Sequence, residues 1–366
     1  MMTTMSSDRI RMDVRQGAGL GPLFVNISTD GEVVFRAEIE TGFLHRGIEK
    51  IGESMTWLGF LPFIERVDYM SAIHGSHAYA MAVEKLAGIE VPLRAEYIRV
   101  VASELNRMGS HYMSLGLSAK QLGLDNVYEL AMAEREKINN LFEALAGARL
   151  TFSYIRIGGV SGDISEGFIE KVFEYLDHSQ EKREELVTMF LDNPISSSRL
   201  NGLGSLSKEK ALEAGISGPA LRACGEPYDI RKGSSYSVYS SLEFLVPVEE
   251  RGDSLSRCWI RVHELEQSAQ LIRSALNKLP SGTYCVDVPR IFKPQKGRSY
   301  AAVESPRGIF SVFVESTGER TPYRVKIRTP SFAVLSIFSS VSKQVTLADL
   351  PALIASFDVL ISEVDR

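Results

Sequence analysis

The hydrophobic pattern of the chain changes period twice. Over residues 23–40 it alternates. Phe24-Val25-Asn26-Ile27 and Val33-Val34-Phe35-Arg36-Ala37-Glu38-Ile39 are β-rich runs on either side of Asp30-Gly31, a dipeptide suited to a tight turn. The pattern predicts a β-hairpin, with residues 10–14 as a further edge strand. Beyond Thr41 the apolar residues recur at steps of three and four. One helix is expected over 74–86, stopped by Ala87-Gly88, and another over 93–115, opening after Pro92 with Tyr97, Val101, Leu105 and Met108 on one face. Residues 127–145 repeat the pattern around the charged run Glu134-Arg135-Glu136-Lys137. Two long amphipathic helices are expected over 165–190, closed by Asp192-Asn193-Pro194, and over 253–279, closed by Pro280. Strand patterning returns at 309–314 and 323–328, and two short helices follow. These elements predict an α+β fold: a mainly helical core (41–290) with small antiparallel β pieces in an N-terminal hairpin region (8–40) and a C-terminal α/β segment (291–366). No repeat or linker composition marks a boundary, so 1–366 reads as a single domain.

Composition narrows the function classes. The chain has 366 residues, 44% hydrophobic and 24% charged, with a formal net charge of −5, values that disfavour a nucleic-acid partner. No apolar run approaches the roughly 20 residues needed to cross a bilayer; residues 332–341 come nearest and are interrupted by serines. The first residues lack the apolar core of a secretory signal. A cytoplasmic protein is expected, with any membrane contact made through partners. The cysteines Cys224, Cys258 and Cys285 stand far apart with no C-x-x-C pair. That argues against a zinc or iron–sulfur site in this chain and against a disulfide framework.

Three short segments are denser in charge and glycine than a packed core needs: residues 41–50, containing His45-Arg46 between Gly42 and Gly47; residues 65–71, Glu65-Arg66-Val67-Asp68-Tyr69-Met70-Ser71; and residues 362–366, Ser362-Glu363-Val364-Asp365-Arg366. The first suggests a cationic pair held at a surface with close backbone approach. Composition alone favours plainer readings: an Arg66–Asp68 ion pair and a solvated charged terminus. His74 and His77 stand at i and i+3 without a third ligand, so a helix surface is the commoner explanation, whereas His111 reads as a hydrogen-bonded core residue. Gly158-Gly159-Val160-Ser161-Gly162-Asp163 lacks the Lys-Ser/Thr of a phosphate loop and reads as a tight loop.

Taken in order, these segments resemble one family. Gly42-Phe43-Leu44-His45-Arg46-Gly47-Ile48-Glu49-Lys50, Arg66-Val67-Asp68-Tyr69, residues 78–86, Tyr154-Ile155-Arg156-Ile157-Gly158-Gly159-Val160, Gly218-Pro219-Ala220-Leu221-Arg222, Tyr228-Asp229-Ile230-Arg231-Lys232, Glu249-Glu250-Arg251-Gly252-Asp253, Pro322-Tyr323-Arg324-Val325-Lys326 and Glu363-Val364-Asp365-Arg366 are similar to elements of the 49-kilodalton (D-type) subunit family of NADH:quinone oxidoreductases. That family, part of respiratory complex I, is homologous to nickel–iron hydrogenase large subunits. The resemblance implies a hydrogenase-like fold whose four nickel thiolates are replaced, here by Asp68, Ser71, Leu360 and Glu363, which supply no soft tetrathiolate site. It implies a vacated pocket that receives a quinone headgroup facing Tyr69. His45, Arg46 and Arg66 would then lie near the terminal iron–sulfur cluster of a small partner subunit. NADH would be used by the whole complex rather than bound by this chain. The complex would also contain membrane subunits and sit peripherally at the cytoplasmic face of the inner membrane, coupling electron transfer to ion translocation.

The sequence departs from the family pattern around that pocket. Relatives open with G-P-Q-H-P-x-x-H-G, whose second His is taken to pair with the quinone; here Leu20 holds that position, and no histidine precedes His45. The Asp that partners this His corresponds to Gln121, and Thr151 stands where many relatives place a His near the cluster. The alternative expectation is a scaffold and coupling subunit of a ferredoxin-linked, hydrogenase-related membrane complex that binds no quinone.

Overall fold

The computed structural model describes residues 8–14 and 21–366. The expected alternation gives β1 (Asp8–Asp13), β2 (Phe24–Thr29) and β3 (Val34–Glu40), an antiparallel sheet in that order. Val25 and Ile27 are buried, as the period of two requires; Val34 and Ala37, three apart, are both buried because the β2–β3 register shifts by one residue at Ser28/Thr29. The outer edge of β3 is covered: Val34 N–H donates to Val345 O at 2.9 Å, and Gln344 N–H to Val34 O at 2.8 Å.

The helical part begins with α1 (Ile48–Ser54), α2 (Leu61–Glu65), α3 (Ala72–Ala87), α4 (Leu93–Lys120) and α5 (Asp125–Ala146). Helix α4 runs past the expected end at 115, continuing through Gly116 to Lys120. Its Gly116 is where α5 crosses, and a Cβ there would lie 2.9 Å from Ala131 Cβ. The helix is buried almost end to end, including Arg99, Ser103, Arg107, Ser110, Ser114 and Ser118. These polar residues recur at helical spacing, so α4 carries a polar stripe inside the protein.

The segment expected as a tight loop at 158–163 instead forms a small hairpin, β4 (Ile155–Arg156) with β5 (Gly159–Val160). Gly159, at φ 151°, passes so close to the chain at Tyr284 that a Cβ would sit 2.3 Å from Tyr284 O. Helix α6 (Phe168–Leu186) ends in a π-helical turn, Val187–Leu191. Short helices α7 (Pro194–Leu200), α8 (Lys208–Glu213), α9 (Pro219–Arg222) and α10 (Ile230–Gly233) lead to α11 (Ser254–Asn277). Asp253 caps α11 by accepting Ser256 N–H at 2.8 Å.

The last part holds an antiparallel sheet, β6 (Gly297–Ser305), β7 (Gly308–Ser316) and β8 (Arg324–Arg328), followed by α12 (Pro330–Val341), α13 (Leu350–Phe357) and α14 (Ile361–Asp365). Strand β6 was not expected, because its polar start Gly297-Arg298-Ser299 hides the alternation. There are three closing helices where two were expected. One hydrophobic cluster links Val25 in β2, Leu105 in α4, Leu265 in α11 and Val364 in α14.

Candidate functional site

The three charge-dense segments converge. Asp365 holds the 42–45 loop: its carboxylate accepts Gly42 N–H at 2.7 Å and Leu44 N–H at 2.8 Å. His45 Nδ1–H donates to Asp365 O at 2.7 Å. The loop belongs to no ladder, so its N–H groups need an acceptor, and a carboxylate supplies charge-assisted bonds. Ser362 Oγ donates to Val67 O at 2.9 Å, and Arg46 Nη2 to Arg66 O at 2.7 Å, joining the second segment to the other two. The solvated-tail reading of 362–366 is therefore corrected: α14 is buried along its length.

The Arg66–Asp68 ion pair is corrected as well. Arg66 is exposed and donates to Pro62 O, whereas Asp68 is buried and pairs with Arg307. Arg307 Nη1 lies 3.1 and 3.0 Å from the two Asp68 oxygens. Its Nε donates to Asp358 O at 3.0 Å, and its Nη2 to Asp358 Oδ1 at 3.3 Å. Asp68 also accepts Met70 N–H at 3.1 Å, Ser71 N–H at 3.0 Å and the Ser71 hydroxyl. Glu363 accepts both N–H and Oγ–H of Ser331, while its Oε1 has no partner. Burial, reinforced by the charge of Asp68, pushes the Glu363 carboxyl up to about 8, so at neutral pH it keeps its proton. Leu360, the fourth of these positions, is fully buried and donates its N–H to Ser331 Oγ at 3.2 Å. The four positions thus surround an arginine-centred cluster. Among the described residues no group of three His, Cys, Asp or Glu could hold a metal ion.

Arg307 occupies the two-residue turn between β6 and β7, where Ser305-Pro306-Arg307-Gly308 places Pro and Gly at the favoured turn positions. The turn is pressed onto Gly218: a Cβ on Gly218 would lie 2.4 Å from Gly308 Cα. Gly218-Pro219 therefore serves to seat Arg307. Sequence reading missed this residue, and the Pro-Arg-Gly turn was the one available signal.

Tyr69 is half-buried beside this cluster. Burial raises its phenol above the ordinary value; Arg307 and Arg46 pull it down and Asp68 pushes it up. Arg135 of α5 reaches the same neighbourhood, with Nη2 at 3.9 Å from Met70 Sδ, and burial lowers its pKa. His45 and Arg46 are exposed on the rim. Thr151 and Ser153 take left-handed backbone, at φ 53° and 46°, and Ser153 N–H donates to buried Glu65 at 3.0 Å. Burial pushes Glu65 up to about 7.

Two expected positions stand apart. Leu20 lies outside the described residues, although the adjacent Gly21 packs against Leu44 and Ile361. Gln121 is half-buried at the C-terminal end of α4. No hydrogen bond or ion pair among the described residues ties it to the Asp68 cluster.

The histidines sort differently from expectation. His74 and His77 are not on a helix surface but fully buried, and burial drives both well below the ordinary imidazole range. His77 bonds Ser103 at 3.2 Å and Ser237 at 3.0 Å. His111 is the hydrogen-bonded core residue expected, 2.8 Å from Glu264; burial outweighs that carboxylate and lowers it to about 4. It joins a buried network in which Arg222 meets Glu264 at 2.6 Å and Glu304 at 2.8 Å, and Arg231 meets Asp229 at 2.6 Å and Glu104 at 3.1 Å. Among the described residues no helix is long and apolar enough to cross a membrane.

A family model described as the respiratory-chain NADH dehydrogenase 49 Kd subunit matches residues 121–298 and 288–366. The chain is 44% identical over 354 residues to the second of the NADH-quinone oxidoreductase D-type subunits of Sorangium cellulosum, covering 94% of this chain and 91% of that one. It is 41% identical over 345 residues to the D-type subunit of NADH-quinone oxidoreductase from Desulforamulus reducens, and 40% over 345 residues to that of Carboxydothermus hydrogenoformans, with 94% of each chain covered in both cases. On these likenesses the chain belongs to the family of the 49 Kd subunit of respiratory-chain NADH dehydrogenase.

Proposed function

We propose that this chain works in an NADH:quinone oxidoreductase assembly, forming with a cluster-bearing small subunit the surface that receives a quinone headgroup beside Tyr69. The observation that carries this reading is the placing of a half-buried phenol between Arg46, Arg307 and Asp68, where three segments distant in sequence meet. NADH is used elsewhere in the assembly. A cluster in the partner would supply two electrons; with two protons, one from Tyr69 and one from solvent, these convert a quinone to a quinol.

This chain's part is orientation and proton supply. A phenol held above its ordinary pKa stays protonated at neutral pH, so Tyr69 can donate a hydrogen bond to a quinone carbonyl oxygen. As negative charge builds on that oxygen, the phenolic proton passes to it, and Arg46 and Arg307 stabilise the phenolate left behind. Exposed Arg46 presents positive charge, and exposed His45 an imidazole, to the cluster-bearing subunit. Contact with the cytoplasmic face of the inner membrane is made through partners. With Leu20 and Gln121 in place of the imidazole and its carboxylate partner, the headgroup is held chiefly at the Tyr69 end.

The test is Tyr69→Phe in the assembled complex, assayed with a soluble quinone analogue. Loss of a positioned proton donor should slow reduction by roughly 10²–10⁴-fold with assembly intact. An unchanged rate removes Tyr69 from the reaction. A wild-type complex that reduces no quinone and exchanges electrons only with a ferredoxin-type protein replaces this reading with a scaffold and coupling role.

A further inference from the structure

A groove of about 670 Å³ lies away from Tyr69, alongside β6. Its floor includes Tyr300, Ala301 and Ala302, and its walls include Met81, Lys85 and Tyr228.

The direction of the β6 backbone groups follows from two fixed points. Glu304 N–H donates to Tyr236 Oη at 3.1 Å, and Glu304 O accepts Arg107 Nη2 at 2.5 Å, so both groups of Glu304 face away from β7. Its cross-strand neighbour Ile309 likewise turns outward, with N–H to Ser217 Oγ at 2.9 Å and O accepting from Arg328 at 2.8 Å. Antiparallel strands alternate with a period of two, so Ala302 and Tyr300 also aim their N–H and C=O away from β7. At Glu304 this edge is closed by Tyr236 and Arg107. At Ala302 and Tyr300 no donor or acceptor among the described residues meets it.

Other edges are protected. The outer edge of β3 is paired at Val345, and Ile327 N–H on β8 donates to Glu49 at 3.0 Å. Strand β1, Asp8-Arg9-Ile10-Arg11-Met12-Asp13, is blunted by charge. Strand β6, Gly297-Arg298-Ser299-Tyr300-Ala301-Ala302-Val303-Glu304-Ser305, has no proline and pairs with β7 over its nine residues without a bulge. Exposed backbone groups beside a half-apolar groove are a template for another strand. Tyr300 and Tyr228, 53% and 41% exposed, flank it. Lys85, exposed and without an ion pair among the described residues, offers a free ammonium at the groove, whereas the lining carboxylates Glu84 and Glu96 are both engaged by buried Arg99.

We infer that the free edge of β6 docks an extended, acid-bearing segment of a partner polypeptide, which joins the sheet as a fourth strand beside Tyr300 and Ala302. The partner's backbone satisfies the outward groups of these two residues, a side chain packs between Tyr300 and Tyr228, and a carboxylate meets Lys85. The inference rests on the reading of this chain as a subunit of a larger assembly, but it concerns an assembly contact rather than the electron-transfer site.

Hydrogen exchange on the isolated chain and on the complex purified from membranes tests it. The amides of Tyr300 and Ala302 should exchange freely in the isolated chain and at least about 100-fold more slowly in the complex. A photo-cross-linking residue at position 300 should join a different polypeptide of the complex. Ala302→Pro removes only an outward N–H, a change that edge strands tolerate, and should cut incorporation against competing wild-type chain at least tenfold. Lys85→Glu, which leaves the strand untouched, should lower it in the same direction. Equal exchange in both states, or a cross-link to a second copy of this chain, overturns the inference. A chain that enters no complex overturns the reading as a subunit; one that enters with both amides still exchanging overturns the docking inference alone.

Discussion

Replacing Arg307 by methionine tests whether the arginine-centred cluster is held by charge. Arg307 makes close contacts with Asp68 at 3.1 and 3.0 Å, and meets Asp358 at 3.0 and 3.3 Å, with all three side chains almost fully buried. Methionine fills similar space but leaves buried carboxylates without a counter-charge. Breaking one partner of such a pair costs about 3–5 kcal/mol, so the isolated chain should lose about that much in a denaturant titration at pH 7. The loss should depend on pH in a definite direction. Without Arg307 the folded-state carboxyl pKa values rise above the unfolded value near 4, so the folded chain binds more protons than the unfolded one. Stability then falls as pH climbs from about 4 towards the raised folded values, and the penalty is smaller at pH 5 than at pH 8. Adding Asp68→Asn to Arg307→Met removes one stranded charge and should recover a large part of the loss. A loss under about 1 kcal/mol, an equal loss at both pH values, or no recovery in the double variant would show that packing rather than charge holds this site.

Three further outcomes follow from the geometry. Glu363, raised to about 8 by burial and Asp68, keeps a proton that the unfolded chain releases above about 4.3, so wild-type stability should decline between those pH values. Glu363→Gln should flatten that decline, and parallel melting-temperature profiles for the two proteins would refute the assignment. Asp365→Ala should cost about 2–3 kcal/mol, because two charge-assisted bonds are lost, and should speed exchange at the Gly42 and Leu44 amides specifically; unchanged rates there would mean that the loop holds itself. Gly159→Ala, whose Cβ would meet Tyr284 O at 2.3 Å, should destabilise by about 2–3 kcal/mol, and a neutral result would show that the 284–285 segment moves aside freely.

Much of the architecture was legible because most elements obey their period. The first hairpin and the helices over 74–86, 127–145 and 253–279 appeared within a few residues of their expected places. Strand β6 was hidden by its polar start, and the full extent of α4 by a helix with no solvent face. Polar residues on α4, from Arg99 to Ser118, read as a surface in one dimension, yet they line a buried network whose partners Asp229, Arg231, Glu264 and Glu304 come from elsewhere in the chain. The same limit applied to the site. The three charge-dense segments could be picked out one by one, but their contact with each other and with Arg307 is a property of the folded chain. Arg66 and Asp68 are near neighbours in sequence, and nothing there could reveal that Asp68 turns inward while Arg66 turns out.

The joining of residues 42–45, 66–71, 307 and 358–365 has a consequence for the order of folding. Gly42 and Asp365 are 323 positions apart, and Asp68 and Arg307 are 239 apart. Contacts at such separations close the longest loops the chain can form, and they become favourable only after local helices and hairpins have shortened the path between their ends. The rim around His45 and Arg46 should therefore be among the last surfaces to take shape. A partner that recognised that rim would engage only chains whose folding is complete.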